Sequence, residues 1–564
     1  MFLWLARKIL GRLATRQARR WAAEFDAATQ RPRQVQDALL RRIVETHKGT
    51  QFGQDHGFDE IRTFADFRRQ LGIHRYEYFE SYINQVKRGR WNALVNAPTV
   101  HMFALTSGTT ASRKFIPVTP QYLADYRRGW TIWGIRAIEK YPEIKFQGIL
   151  QLVSDWDEFR TEADIPCGSV SGLTAHMQKR VVRWLYVMPA NTGKIKDSAA
   201  KQYLALRLSL ARSLGMITSA NPSTLVNLAR MCDAEKEALI RDVHDGTLSP
   251  VHQIPAEVRE ALGRQLSRPN PRRAKELDAI VRRTGGLYPK DCWPGLQLIG
   301  NWTGGSVGSY LRFYPKYFGA IPVRDIGLIA SEGRLTIPVE DATSSGVLDI
   351  TSHFFEFVPQ SEIDSPQPAT LRAEEVEVGK EYFIVPTTAL GLYRYNIYDL
   401  VRVTGFYHRT PLIEFLNKGA HFANLTGEKL SEFQVVRAMQ QALMEQNASV
   451  ANYTLAPCWD DELPYYGLFV ESGDLGELER ARRLTASMDR HLRALNVEYD
   501  TKRASQRLGG VRAMLLPAGA WSIWDQQRLQ RNGGTAEQYK HPCLIPDADF
   551  RRQIPVEQEV ALET

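Results

Sequence analysis

Between two apolar runs, residues 102–105 and 115–118, lies the segment Thr106-Ser107-Gly108-Thr109-Thr110-Ala111-Ser112-Arg113-Lys114. Hydroxyls and exposed backbone N–H groups in such a loop can hold phosphate oxygens, and a closing lysine can neutralise a departing pyrophosphate. Gly108 lets the backbone turn tightly and approach an anion with no Cβ in the way. The spacing is not that of a Walker A loop, which needs a second glycine and a Ser or Thr after the lysine. A polar turn joining two strands would use similar residues.

Two further segments supply carboxylates. Ala330-Ser331-Glu332-Gly333 follows an apolar stretch, 326–329, read as a strand. A Glu on a turn at a strand end is placed to hold Mg²⁺, which takes one or two carboxylates plus nucleotide phosphates. Tyr393-Arg394-Tyr395-Asn396-Ile397-Tyr398-Asp399 runs into Leu400-Val401-Arg402-Val403-Thr404, and an Asp at a strand entrance can accept both ribose hydroxyls. Taken singly, Glu332 also reads as a solvent-exposed turn residue and Asp399 as a surface ion-pair partner. Gly304-Gly305-Ser306-Val307-Gly308 matches the G-x-S-x-G pattern of a serine hydrolase. There Ser306 would be the nucleophile, with His408, His421, His491 or His541 as its base. A Gly-rich turn beside a ligand is the plainer reading.

These residues need a scaffold, and 564 residues are enough for several domains. Hydrophobic content of 43% and charged content of 24% are those of a soluble globular chain. The net charge of +9 favours anionic ligands, but it comes from 72 basic and 63 acidic residues spread along the chain. With no Lys/Arg block interleaved with aromatics, a nucleic-acid surface is not expected. Five scattered cysteines without CxxC pairs suit a reducing cytoplasm, and no run reaches membrane-spanning length. Residues 2–21 carry Arg7, Lys8, Arg12, Arg16, Arg19 and Arg20 with no acid before Glu24. A basic first helix packed on the domain is expected, with weak membrane-surface contact as the second reading.

Phe58, Ile61, Phe64 and Phe67 fall at helical spacing, and 120–141 reads as an amphipathic helix opened by Thr119-Pro120. Buried strands at 148–153 and 296–300, separated by helical stretches, signal an α/β layer. From 347 the pattern becomes short strands (347–350, 353–358, 382–385, 400–404, 412–415), with a surface loop at 361–370, as in a β-subdomain. Beyond 424–427, a helix at 430–444, strands at 452–457 and 465–470, a helix at 475–495 and a strand at 511–516 read as a small α+β domain. The expected division is 1–425 and 426–564.

In chain order, the loop, the Ser-Glu turn and the Asp resemble the adenylate-forming superfamily, and more closely its GH3 branch, the acyl acid–amido synthetases. Phe103-Ala104-Leu105-Thr106-Ser107-Gly108-Thr109-Thr110 with Lys114-Phe115-Ile116-Pro117-Val118-Thr119 is similar to that family's first motif. Ala330-Ser331-Glu332-Gly333 resembles its second motif, and Tyr393-Arg394-Tyr395 through Asp399 its third. Weaker similarity runs from Phe52-Gly53 through Trp302-Thr303-Gly304-Gly305 to Gln538-Tyr539-Lys540-His541-Pro542.

The resemblance implies a large α/β adenylation domain with a β-subdomain and a small mobile α+β domain. It implies ATP and Mg²⁺, a carboxylic acid turned into an acyl-adenylate, and an amine, usually an amino acid, that takes the acyl group as an amide. Ser107, Gly108, Thr109, Thr110 and Lys114 would surround phosphates, Ser331 and Glu332 would meet the nucleotide with Glu332 on the metal, and Asp399 would hold the ribose. Lys540 would be carried in by a C-terminal domain hinged near 424–429. The acyl pocket would be formed by Tyr126, Arg127, Trp130, Gly168, Trp302, Gly304 and Gly305. Tyr122 and Trp133 would join its aromatic lining, and Arg127 or Arg128 would meet the substrate carboxylate. A monomer is expected. Three positions depart from the family pattern: Ala111 and Tyr398 stand where glycine is usual, and Cys543 where many relatives carry arginine. They leave a catalytically degenerate binding relative as the alternative. Transfer to a thiol is disfavoured because the usual terminal Gly-Lys segment is absent.

Overall fold

Two large apolar cores organise the chain up to residue 418. The computed structural model describes residues 2–106, 114–178, 180–363, 365, 367–418, 422–423, 425–426, 428, 430–459, 463–504, 508–532 and 539–561. One core gathers Phe52, Phe67, Phe79, Phe103, Phe354 and Tyr393 between the first helices, a mixed sheet and the β-subdomain. The other gathers Leu204, Ile217, Leu228, Leu277 and Ile299 around a parallel sheet.

That parallel sheet runs Gly148–Gln151, Leu214–Thr218, Leu298–Gly300, Val323–Arg324. Leu214–Thr218 is buried at every residue, the unbroken apolar run expected of a strand covered on both faces. The mixed sheet has the order Lys114–Val118, Met102–Thr106, Pro166–Gly168, Phe159–Arg160, with the two middle strands parallel. Between the layers lies the helix Pro120–Lys140. Proline sits in its first turn and the Thr119 hydroxyl accepts the Tyr122 N–H at 3.2 Å. It buries Tyr122, Tyr126, Gly129, Ile132 and Trp133 along one stripe.

The β-subdomain is a six-stranded antiparallel sheet ordered Thr336–Ile337, Gly346–Leu348, Thr410–Lys418, Asp399–Tyr407, Glu381–Thr387, Phe354–Pro359. Each of the five short strands expected from residue 347 onward overlaps one of its strands, the first ending at Leu348 rather than 350. The helical expectation near the start of the chain fails. Phe58 and Phe67 do not share a helix: a 3-10 turn, Phe58–Glu60, and a helix, Phe64–Gln70, are separated by extended Ile61. A capping box between Thr63 and Asp66 starts the second element, so local cap chemistry overrides the periodicity.

C-terminal to this, Phe422–Ala423 pairs with Leu430–Ser431. Helices Glu432–Glu445 and Leu478–Leu495 then cover a four-stranded sheet: Tyr453–Trp459, Pro464–Glu471, Arg512–Leu516, Gln558–Val560. Glu428 ties the connecting turn to this unit by accepting from the amides of Leu425 (2.7 Å) and Thr426 (2.8 Å) and from the Tyr466 hydroxyl. The helix Ala520–Asn532, which no sequence pattern announced, packs Trp521 against Phe469 and Phe550.

The first helix spans Phe2–Thr29. Its second half packs Ala18, Ala22 and Phe25 beside Ile132 and Trp133, and Arg19 pairs with Glu139 at 3.1 Å. No described helix is long and apolar enough to cross a membrane. All five cysteines are buried free thiols.

Candidate active site

Main-chain pairing sets Thr106 opposite Lys114, so 107–113 connect two antiparallel strands. Ser107, Gly108, Thr109, Thr110 and Ala111 themselves lie outside the described residues. Lys114 opens the return strand with its ammonium 5.5 Å from the centre of the Tyr76 ring. The Tyr76 hydroxyl accepts the Phe115 N–H at 2.8 Å and so fixes where that strand begins.

Ser331 and Glu332 form the two-residue turn between Ile329–Ala330 and Gly333–Arg334. The strand expected over 326–329 therefore begins only at Ile329. Upstream, the Ile326 and Gly327 carbonyls accept side-chain bonds, from Arg334 at 2.7 Å and from Trp302 at 2.9 Å, instead of ladder bonds. The turn rests on the first motif: Ser331 Oγ donates to the Leu105 carbonyl at 3.4 Å, and the Tyr122 hydroxyl donates to the Ser331 carbonyl at 3.1 Å. Gly333 adopts φ +154°, and a Cβ there would lie 2.3 Å from His353 Nε2, so only glycine fits under this turn.

Glu332 is buried, 7% exposed. Burial pushes the Tyr76 phenol up to about 12, and the carboxylates of Glu80 and Glu332 push the same way. Burial, with Glu332 next in weight, also drives the Tyr395 phenol far up. Lys114, Glu332 and Tyr395, one residue from each motif, thus share the electrostatic surroundings of Tyr76, with Lys114 in direct contact with its ring. The sequence reading missed Tyr76, because it lies in no motif. Its placement comes from a main-chain bridge, with the His74 N–H on the Arg394 carbonyl at 3.1 Å and the Asn396 N–H on the His74 carbonyl at 2.8 Å.

Asp399 is the first residue of the strand Asp399–Tyr407, paired with Lys418 and buried. Tyr398 before it adopts φ +60°, a backbone that suits glycine. Its ring is held against the Arg75 guanidinium at 4.2 Å and edge-on to Phe383.

Lys540, on the C-terminal side, places its ammonium 4.2 Å from the Trp302 ring centre and 5.4 Å from that of Phe415. Gly304 and Gly305 pass beside Phe415 and Ser344. The organiser of this turn is Asp325, another residue that no motif announced. Its carboxylate accepts the Thr303 N–H (2.7 Å), the Thr303 hydroxyl (2.8 Å) and the Gly327 N–H (2.6 Å). Burial nevertheless pushes this carboxyl up to about 6.

Of the expected acyl pocket, Trp130 is half-buried with the Arg334 guanidinium 4.3 Å over its ring. Tyr126 is buried and stacks on Tyr122. Trp133 is core, its indole N–H on the Asp325 carbonyl at 2.8 Å. Arg127 donates to the Met177 carbonyl at 3.1 Å and Arg128 to the Thr351 hydroxyl at 2.7 Å. Gly168 lies so close to main chain that a Cβ would come within 2.6 Å of the Asp155 carbonyl oxygen.

The hydrolase pattern does not adopt an elbow. Gly305–Phe313 is a run of 3-10 turns rather than a strand–turn–helix, and the Ser306 side chain lies outside the described set. His408 contacts Thr29, His491 contacts Glu445 and His541 contacts Asp525, each on a different element; His421 is not among the described residues.

The model of the GH3 family N-terminal domain matches residues 22–323, that of the GH3 family central domain 346–418, and that of the GH3 family C-terminal domain 433–549. The chain belongs to the GH3 family. A jasmonoyl–L-amino acid synthetase of Nicotiana attenuata (JAR4) is 22% identical, covering 93% of each chain. A probable indole-3-acetic acid-amido synthetase of Oryza sativa subsp. japonica is 24% identical over the same shares. Among solved structures, the GH3.15 acyl acid amido synthetase superposes with a TM-score of 0.82 at 19% identity, covering 96% of this chain and 97% of that one. AtGH3.15 in complex with 2,4-DB gives a TM-score of 0.84 at 18% identity over 97% and 98%. The fold of this GH3 chain is thus the acyl acid amido synthetase fold, and its named relatives are acid–amino acid ligases.

Proposed function

We propose that this GH3 chain is an ATP-dependent, AMP-forming acyl acid–amido synthetase. The observation that carries the reading is that the three motifs meet: Lys114 lies 5.5 Å over the Tyr76 ring, Ser331 bonds to the Leu105 carbonyl, and the His74 main chain beside Tyr76 is bonded to Arg394 and Asn396. A carboxylate oxygen of the acid attacks the α-phosphorus of ATP, and the bond to pyrophosphate breaks. An amine, from an amino acid, then attacks the acyl carbonyl, loses a proton and displaces AMP. In this scheme Ser107, Gly108, Thr109 and Thr110 cradle phosphates, Lys114 balances the leaving pyrophosphate, and Asp399 holds the ribose. Lys540 steadies the charge of the adenylation transition state. Tyr126, Arg127, Trp130, Gly168, Trp302, Gly304 and Gly305 bound the acyl group.

Mg²⁺ fits this site as a passenger of the nucleotide. Glu332 offers one buried carboxylate, and no group of three or more His, Cys, Asp or Glu able to cage a metal occurs among the described residues. When bound, the ion supplies charge neutralisation across the phosphates.

The relatives' names point to jasmonate-like and indolic acids, and the structural neighbour to 2,4-DB; all are carboxylic acids with a bulky, largely apolar body. We place the pivot near residues 424–429, between units 1–425 and 426–564, and take the enzyme to be a cytoplasmic monomer without nucleic-acid partners, its basic first helix capable of weak membrane contact. Tyr398 does not by itself argue for a degenerate relative, since Arg75 and Phe383 seat the ring. Carboxylate-dependent ATP–pyrophosphate exchange with magnesium, over jasmonate, indolic, phenoxy and fatty acids, tests the proposal. Exchange with one of them is expected; ATP binding without exchange from any would overturn it in favour of a binding relative.

A further inference from the structure

Lys540 acts only if a flexible four-carbon side chain, carried by the C-terminal unit, is delivered to the large domain in one place. Two clamps meet at this residue. On the large-domain side, the loop Ser219-Ala220-Asn221 leaves the buried strand Leu214–Thr218 and caps the helix Pro222–Ala234. Asn221 Oδ1 accepts the Ser223 N–H at 3.0 Å and the Ser223 hydroxyl at 2.8 Å, which orients the amide. The Nδ2 end then donates to the carbonyl of Tyr539, immediately before Lys540, at 2.6 Å. The same loop accepts the Trp302 N–H on the Ala220 carbonyl at 3.1 Å, and the Asn301 amide on the Ser219 carbonyl at 2.9 Å. One loop therefore holds both the residue before Lys540 and the main chain of Trp302, on whose indole the Lys540 ammonium rests.

On the other side, Asp525 of the helix Ala520–Asn532 holds both neighbours of Lys540. Its Oδ1 accepts the Tyr539 hydroxyl at 2.7 Å and lies 2.9 Å from His541 Nδ1, while His541 Nε2 lies 3.0 Å from the Thr454 hydroxyl. We infer that Asn221 and Asp525 are positioning residues for Lys540: Asp525 fixes the segment within its own unit, and Asn221 latches it across the boundary for the adenylation step. The inference rests on the adenylating role proposed for Lys540.

Asn221→Asp is the discriminating variant, because it keeps the capping oxygen and replaces the donor to Tyr539 by a charged acceptor that repels that carbonyl. In pyrophosphate exchange, with whichever acid of the panel supports it, kcat is expected to fall by roughly threefold to tenfold, no further than in Lys540→Ala, while KM for ATP and acid stay within about threefold. Combining Asn221→Asp with Lys540→Ala should cost no more than Lys540→Ala alone, since both remove one function. Asp525→Ala should lower kcat, and Asp525→Asn, which keeps an acceptor oxygen, should restore most of it. A substrate-free readout goes with these: acylation of Lys540 by an N-hydroxysuccinimide acetate should quicken severalfold in Asn221→Asp.

Multiplying effects in the double variant, or unchanged labelling, would overturn the latch. Full exchange by Lys540→Ala would overturn the adenylating role of Lys540, and the inference with it. Normal exchange by Asn221→Asp beside a crippled Lys540→Ala would overturn the inference alone.

Discussion

The two lysines of the site are positioned by opposite means. Lys114 begins a strand whose register is set by five antiparallel pairs, in a sheet continuous with the largest aromatic core. Lys540 sits on a segment without regular structure, held by an aspartate on its own side and by one asparagine amide across the boundary. A group needed in every step can be built into a sheet. One that must come and go needs bonds few enough to break, because each buried main-chain pairing resists separation. The comparison predicts that the Lys114 wall fails only with the fold, whereas the Lys540 wall fails by misplacement while the fold survives.

The largest effect expected on the built wall comes from Glu356. It is fully buried and takes two bonds from Arg394 at 2.8 Å each, while Arg394 also donates to the Leu71 carbonyl at 2.6 Å. Arg394 holds a left-handed φ of +47° between the tyrosines of the third motif. Glu356→Ala leaves a buried cation unpaired and should lower stability by about 3–5 kcal/mol in denaturant unfolding. If the variant melts like the parent, the third motif is not held by this pair.

A step down is a pH effect beneath the Ser-Glu turn. Burial pushes the His353 imidazole down to about 4, with the neighbouring Asp349 opposing and Arg128 reinforcing. The unfolded chain takes up this proton near 6.5 and the folded one only near 4, so stability should fall as pH drops through that window. Fully developed, the loss is about 3 kcal/mol at ~1.4 kcal/mol per pKa unit. Compared with His353→Asn, wild type should lose more stability between pH 7 and 4.5; parallel curves would contradict the burial argument.

Which parts were legible follows from the same contrast. Short runs of apolar residues announced the strands of the β-subdomain, several of which are buried along nearly their whole length, and Thr119-Pro120 announced a helix start because cap chemistry is local. The motifs were legible as residue types in order. Tyr76 and Asp325 were not, because each acts on a partner far along the chain, Phe115 or Thr303, and neither has a local pattern. Asn221 lies in no motif either: the structure makes it the cap of the helix Pro222–Ala234, and its second role lies in a bond to Tyr539, 318 residues away. Phe58 to Phe67 misled because periodicity cannot see the capping box that restarts the chain at Thr63.

Between the lysines themselves, the comparison can be read directly in exchange kinetics. Lys114→Ala should lower kcat by roughly a hundredfold, the range of one preorganised transition-state donor. Lys540→Ala should lose less, roughly tenfold, because part of its effect depends on how often the segment is docked. Trp302→Ala should move the Lys540 contribution and leave that of Lys114 untouched, since the indole carries the ammonium of Lys540. Equal losses on both lysines in Trp302→Ala would mean that the two walls are not independent.

The smallest effect tests whether the built wall tolerates strain. Tyr398 spends about 1 kcal/mol on a left-handed backbone that glycine adopts freely. It recovers a similar amount from the Arg75 guanidinium stacked 4.2 Å over its ring and from the edge of Phe383 at 5.8 Å between ring centres. Tyr398→Gly removes strain and stacking together, so stability should change by less than about 1 kcal/mol. Tyr398→Ala removes the stacking and keeps the strain, and it should be the less stable of the two. Should alanine equal or exceed glycine, the left-handed geometry would not be what sets this position, and the ring alone would account for tyrosine beside Asp399.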